Sequence, residues 1–270
     1  AGLNSPTTFR TGGTLNAAVG GMVNYQASYK LMTFEPGAVF SPTTTNRITG
    51  YCQFAGTVNL PNFELAAGSL YGTFTNAGIL NWTGGDLNGA ITIATNGVLN
   101  LLGDADKRLN QARLNNAGTV NWLGGRLLAL ANDYNQTVYL TNLAGAVWNI
   151  LTDTNTTRAS TWSGYPAPTF VLHNAGTLIK SPGTGTNALD GLNVVNTGLL
   201  DIQTGGIQFN GSLDNYGEIR AAANAAAYLN SPTTFRTGST LNAAAGSMIN
   251  YQASYKLMTF EPGAMVSATT

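Results

Sequence analysis

The chain has 270 residues, with 12 Lys and Arg balanced by 12 Asp and Glu for a net charge of zero. Charged residues are only 9% of the chain, against about 25% in ordinary soluble domains. That balance excludes the basic surface that nucleic acid requires, and no apolar run approaches the about 18 residues of a membrane span, so no membrane insertion is expected. A single Cys excludes an intrachain disulfide, and one Cys with one His argues against a Cys/His zinc site and a Ser-His-Asp triad. No cofactor is implied. The chain has no initiator Met and no signal peptide, which reads as a mature or excerpted chain.

From its first residues the chain announces a long-range repeat. Leu3 to Thr44 returns as Leu229 to Thr270, with 35 of 42 residues identical at an offset of 226. A tandem array explains this, because each unit must offer the same contacts to the next. Residues 1–226 read as one complete large repeat and 227–270 as the start of the next copy.

Inside the large repeat, a glycine followed two residues later by an aliphatic recurs in chain order. The aliphatics are Leu15, Val39, Val58, Leu80, Leu99, Val120, Val147, Leu178, Leu200 and Ile219, and the cycle closes at Ser239-Thr-Leu241. The units are uneven, short between Gly37 and Gly56 and longest between Gly145 and Gly176, and ten of them make one large repeat. A coil of about 20 residues suits three short strands and three turns, at roughly 3.3 Å per strand residue. It is too short for helical-hairpin repeats and too long for hexapeptide coils, and the pattern of leucine-rich repeats is absent. Thr, Val, Ile and aromatics alternate in runs such as Gly78-Ile-Leu-Asn-Trp82, a strand signature. The expected fold is therefore all-β: a parallel β-solenoid, right-handed and three-faced, with about ten coils per large repeat. The ten aliphatics are expected to form one core column.

Asn stands two before the glycine at Asn76, Asn116, Asn174, Asn196 and Asn215. Asn tolerates left-handed backbone and bonds its own turn, so N-x-G reads as a corner. Asn also stands three after the glycine at Asn16, Asn59, Asn81, Asn100 and Asn121. Asn59, Asn81, Asn100 and Asn121 fall in consecutive coils and predict a hydrogen-bonded amide column; the plainer alternative is a solvated face. Trp82 and Trp122 share the place held by Leu60 and Leu101, which suggests core, whereas Trp148 sits one place earlier and is expected to be exposed.

Candidate chemistry is sparse. His173 reads as a solvated turn residue and Cys52 as a small buried thiol. Asp104-Ala-Asp106-Lys107-Arg108 is the densest charge cluster, but a metal groove or lyase centre needs further acids in neighbouring coils. An enzyme is not expected; polysaccharide lyase or hydrolase chemistry is the remaining catalytic alternative. The two longest coils must project loops, since extra residues cannot enter a stacked core. Tyr134, Trp162 and Tyr165 there suit stacking on sugar rings, with Arg158 as a hydrogen-bond donor; packed bulges or contacts with neighbouring rods are the alternatives.

The coils Asn115-Asn-Ala-Gly-Thr-Val-Asn-Trp122 and His173-Asn-Ala-Gly-Thr-Leu178 resemble those of large bacterial surface proteins. These are the filamentous-haemagglutinin-type adhesins and autotransporter passenger domains. The resemblance implies export to the cell surface, a long β-helix, and a role in adhesion, biofilm or surface filaments. Implied partners are adjacent copies of the same repeat, joined covalently or head-to-tail, and surface glycans or neighbouring fibres. No family site residue is carried over.

Overall fold

The computed structural model describes every residue except Asn16, Tyr29, Leu60, 253–256 and 269–270. Among the described residues there is no helix, and every strand pairing is parallel. The alternation read from the sequence becomes alternating burial: in Thr119–Trp122, Val120 and Trp122 point inward while Thr119 and Asn121 point out. One face of the solenoid is a sheet of thirteen strands, from Gly2–Leu3 to Met265–Ala268, which makes twelve turns. Coil length varies widely. Arg47 stacks on Glu64 and Asn149 on Ile179, and the second of these coils is nearly twice as long as the first.

The other two faces are visible where one long strand bends across both. The first half of Asp86–Ile93 pairs with Lys107–Asn110 and its second half with Arg113–Asn116. Each coil thus visits three faces in turn with one short strand on each, which is why so short a repeat suffices. The interior is a single continuous apolar column around the axis. At one end it is aromatic: Phe9, Phe34 and Phe54 stack at 4.7 and 4.6 Å. Cys52 lies in this core, and burial pushes its thiol up to about 12.

The inner column of the first face runs through Val23, Asn46, Phe63, Leu80, Leu99, Val120, Trp148, Leu178, Leu200, Ile219 and Leu241. Four of the expected members do not belong to it. Leu15 pairs with Phe40 on the third face, and Val58 ends a strand that continues onto that face. Val39 is 51% exposed while its neighbour Phe40 is buried, and Val147 likewise yields to Trp148, which is buried rather than exposed. The cause is the corner type. Gly37 and Gly145 adopt φ of 83° and 81°, a left-handed turn that sets the inward position three residues on instead of two. Glycines of the N-x-G corners are different: Gly118, Gly176, Gly198 and Gly217 lie outside the left-handed region. They are glycine because a Cβ would lie 2.1–2.4 Å from a carbonyl oxygen of the preceding coil.

The recurring segment does not return to the same face. Met22–Tyr25 belongs to the first face, pairing with Thr45–Ile48. Its counterpart Met248–Tyr251 pairs with Ala226–Leu229 on the second. From Met22–Tyr25 to Thr240–Ala243 the first face advances ten strands, and Met248–Tyr251 lies one face further. The large repeat is therefore ten and one-third turns, not ten. The extra third lies between Gly56 and Gly78. Gly56 is a bend inside the strand Tyr51–Val58, not a corner onto the first face. It stacks on Phe74, so the chain has already completed a full turn before it reaches Gly78.

Two substitutions separate the corner types. Gly198→Ala, which places a methyl against the Gly176 carbonyl oxygen, is expected to cost about 1–3 kcal/mol or more by overpacking. Gly145→Ala meets open space and is expected to cost only the left-handed backbone penalty of about 1–2 kcal/mol. Chemical denaturation of the two variants checks the order.

Candidate functional site

The exterior is organised by ladders that climb from coil to coil. On the first face the outward column contains Arg47, Glu64, Asn81, Asn100, Asn121, Asn149, Ile179, Asp201, Arg220 and Asn242. Asn100 donates to Asn81, Asn121 to Asn100 and Asn149 to Asn121, each at 2.9 Å. Asn59 is not a member. It is exposed between strands, and Glu64 holds its place because the chain reaches the first face only after Asn62. Asn16 and Leu60 lie outside the described residues.

A second ladder is hidden at the corner between the third and first faces. Asn116, Asn142, Asn174, Asn196 and Asn215 are fully buried or nearly so. Each of the first four donates to the next at 2.7–2.9 Å. Each of these four also donates to a carbonyl at the start of the first-face strand of the following coil: Val147, Thr177, Leu199 and Glu218. The N-x-G motif marks this ladder. From Asn116 onward its Asn points into the stack to satisfy backbone across coils, whereas Asn76 bonds only its own Gly78 and stacks on Ile93, and Asn142 joins the ladder without the motif.

The long coils place their extra residues at one corner, between the second and third faces. Residues 132–136 follow Leu127–Ala131, and residues 161–168 follow Thr156–Ser160 one coil later. The Tyr134 and Tyr165 rings meet at 4.7 Å. Trp162 shares the second loop and is 65% exposed. Gln111 and Gln136 both donate to the Asn132 side chain at the base of the first loop. Arg158 is directed elsewhere. Its guanidinium donates to the Pro168 carbonyl at 3.2 Å and its stem lies against Gly191, so it braces the second loop.

Charged residues are mostly tied across coils: Asp86 with Arg108, Asp106 with Arg126, and Arg236 with both Asp214 and Glu261. Lys107, in the middle of the acidic cluster, is buried; its ammonium donates to the carbonyls of Gly103 and Ala105, and burial lowers its pKa. Among the described residues no three His, Cys, Asp or Glu side chains converge as metal ligands. His173 is exposed on the strand Thr169–Asn174, one residue before the buried corner.

Lys180 is an unforeseen element. It occupies an inward position between Ile150 and Ile202 and is fully buried. Its ammonium donates to the Thr152 carbonyl at 3.1 Å and pairs with Asp153 at 2.6 Å. Asp153 in turn accepts from the Gly185 amide at 3.1 Å, closing the loop that follows the strand Thr177–Lys180. The hydrogen bond from Lys180 holds the Asp153 carboxyl below its ordinary value of 3.8. No protein family, curated protein or solved structure matches the chain.

Asp153→Asn leaves the Lys180 charge without its partner. Breaking a fully buried pair costs about 3–5 kcal/mol; with Asp153 43% exposed, a loss of about 1–2 kcal/mol at pH 7 is expected. Because the folded pKa is lowered, the stabilisation is present above the unfolded value near 3.8 and disappears as pH falls below it. The difference between wild type and variant should therefore shrink in acid, measured by denaturation at pH 7 and at pH 3.

Proposed function

We propose that the chain is a structural segment of an extracellular bacterial filament built from tandem β-solenoid repeats, serving as a scaffold for adhesion or biofilm. The observation that carries this reading is a comparison of the two copies of the recurring segment. In the first copy Tyr25 and Phe34 are 0% exposed and Phe40 is 6% exposed, because the following coils cover them. Their counterparts Tyr251, Phe260 and Val266 are 38%, 46% and 57% exposed. At the other end Leu229, Phe235 and Leu241 are buried under the preceding coils, while Leu3, Phe9 and Leu15 are only partly covered.

Each end thus exposes what a further copy is built to cover. The occupant of the downstream end is a copy of the stretch from Thr45–Ile48 to Phe63–Leu65, which supplies Ile48, Phe54 and Phe63 over Tyr25, Phe34 and Phe40 in the first copy. The row of open backbone groups at each end is completed in the same step, which removes exposed sheet edges inside a longer rod. The scaffold role is mechanical, carried by backbone pairing along the axis and not by a reactive centre. Proteins containing one, two and four units are expected to be rods whose length grows by about 50 Å per unit, at roughly 4.8 Å per coil. Electron micrographs showing compact particles of unchanged length would sink the idea.

A second reading, glycan binding by the long-coil loops, is favoured by one feature: the paired Tyr134 and Tyr165 rings, with exposed Trp162 in the same loop as Tyr165. Aromatic faces with a polar surround suit sugar rings. On this reading a glycan array gives hits that the Trp162→Ala/Tyr165→Ala variant loses while its thermal midpoint stays unchanged. An array with no hits for the wild-type protein removes the reading and leaves the scaffold role intact.

A further inference from the structure

We infer that consecutive 226-residue units are related by a threefold screw, so that each unit is turned by one face relative to its predecessor and the same surface returns to the same side only after three units. The inference rests on the tandem-filament reading, and extends it from the existence of an array to its symmetry and to what its surface presents.

The junction between units is seen once inside the chain. The second copy is seated on coils of the first by in-register pairs on all three faces: Phe209 with Leu229, Leu213 with Thr233, and Ile219 with Leu241. A side-chain clamp fixes the same phase. Arg236 of the second copy reaches back to Asp214 at 2.7 Å and forward to Glu261 at 2.9 Å. Glu261 also accepts from the Thr237 amide, as its counterpart Glu35 accepts from the Thr11 amide in the first copy. The recurring segment therefore keeps its internal contacts while occupying faces shifted by one. That is possible because all three faces present the same parallel backbone ladder, into which any strand of suitable length fits.

Since a unit spans ten and one-third turns, repeating the junction unchanged turns every unit by one face. Three units make 31 turns, about 150 Å at roughly 4.8 Å each. The corner carrying Tyr134, Trp162 and Tyr165 would then project at steps of about 50 Å along the axis and successively around all three sides. An array of whole turns would instead align these loops in one file at about 48 Å. The screw gives the filament no smooth side: any flat partner surface, such as a cell wall or a second filament, meets these aromatic loops whichever side it approaches.

Disulfide mapping in the 270-residue chain tests the phase, since the native Cys52 is buried and does not compete. Adjacent parallel strands bring Cα atoms within disulfide range. Arg220→Cys/Asn242→Cys and Gln208→Cys/Tyr228→Cys, both in-register pairs here, are expected to close on oxidation. Asp214→Cys/Asn242→Cys, which lies on two different faces, is expected to stay open. Closure of the last pair, with the first two open and the variants folded by circular dichroism, overturns the screw. Imaging of a protein of four or more units tests the array. Helical symmetry with a rise of about 50 Å and a one-third turn supports it, and an untwisted file at about 48 Å overturns it. Disulfides as expected without filaments would sink the filament reading and leave the junction geometry standing.

Discussion

In this molecule the strand residues of the inner coils have structural equivalents directly above and below them, one strand spacing away. Parallel in-register stacking therefore multiplies whatever a position contains. Apolar residues gain, because a column of them excludes water continuously along the axis. Charges suffer, because a column of like charges repels itself at about 5 Å. The low charge content follows from this constraint, and so does the placement of the charges that remain. Arg47 meets Glu64, Asp86 meets Arg108, Asp106 meets Arg126, and Asp201 meets Arg220, always with opposite signs in adjacent coils. Exposed pairs of this kind contribute about 0.2–1 kcal/mol each. Their main effect is to forbid slippage of one coil over the next.

Asparagine resolves the same constraint without charge, since its amide both donates and accepts and can stack on itself indefinitely. The outer ladder through Asn81, Asn100, Asn121 and Asn149 spans four coils of one face. The buried ladder from Asn116 to Asn215 runs beside the interior, where an unpaired amide is costly. The recurring segment abandons amides for rings: Phe235 follows Asn215 in the corner column, and Phe260 stacks on it at 4.8 Å. Polar ladders thus give way to an aromatic zipper where one unit meets the next.

The architecture was legible because its signals are local and repeated many times over. Alternation in Ile79–Trp82, the glycine cadence and the near-identical segments at an offset of 226 lead directly to a stacked parallel fold. The phase was not legible, because Gly56-Thr-Val58 has the same sequence form as Gly118-Thr-Val120 while serving as a bend in mid-strand. The displaced inward positions at Phe40 and Trp148 carried no separate signal: Gly37 and Gly145 lack an Asn two places before them, but so does Gly97, whose inward residue Leu99 is still two places on. Lys180 could not have been foreseen as a buried residue from its own neighbourhood, since its partner Asp153 lies far back in the chain, in the adjacent coil. The candidate loop was located by length alone, and only the stacking of two consecutive insertions at one corner brought Tyr134 to Tyr165.

The strands are not equally long along the axis. Thr8–Phe9, Thr14–Leu15 and Val39–Phe40 have two residues each, whereas Tyr51–Val58, Ser69–Asn76 and Asp86–Ile93 have eight. In a linear stack the energy of opening at a given coil is set by that coil and its two neighbours, so resistance to force varies from place to place along a filament. Where coils precede the recurring segment its strands are longer: Thr233–Phe235, Thr240–Ala243 and Met265–Ala268, the counterparts of the three short ones, have three, four and four residues. The two-residue strands therefore mark the end of the stack that no earlier coil supports, and heating frays that end first, as far as the eight-residue strands that follow.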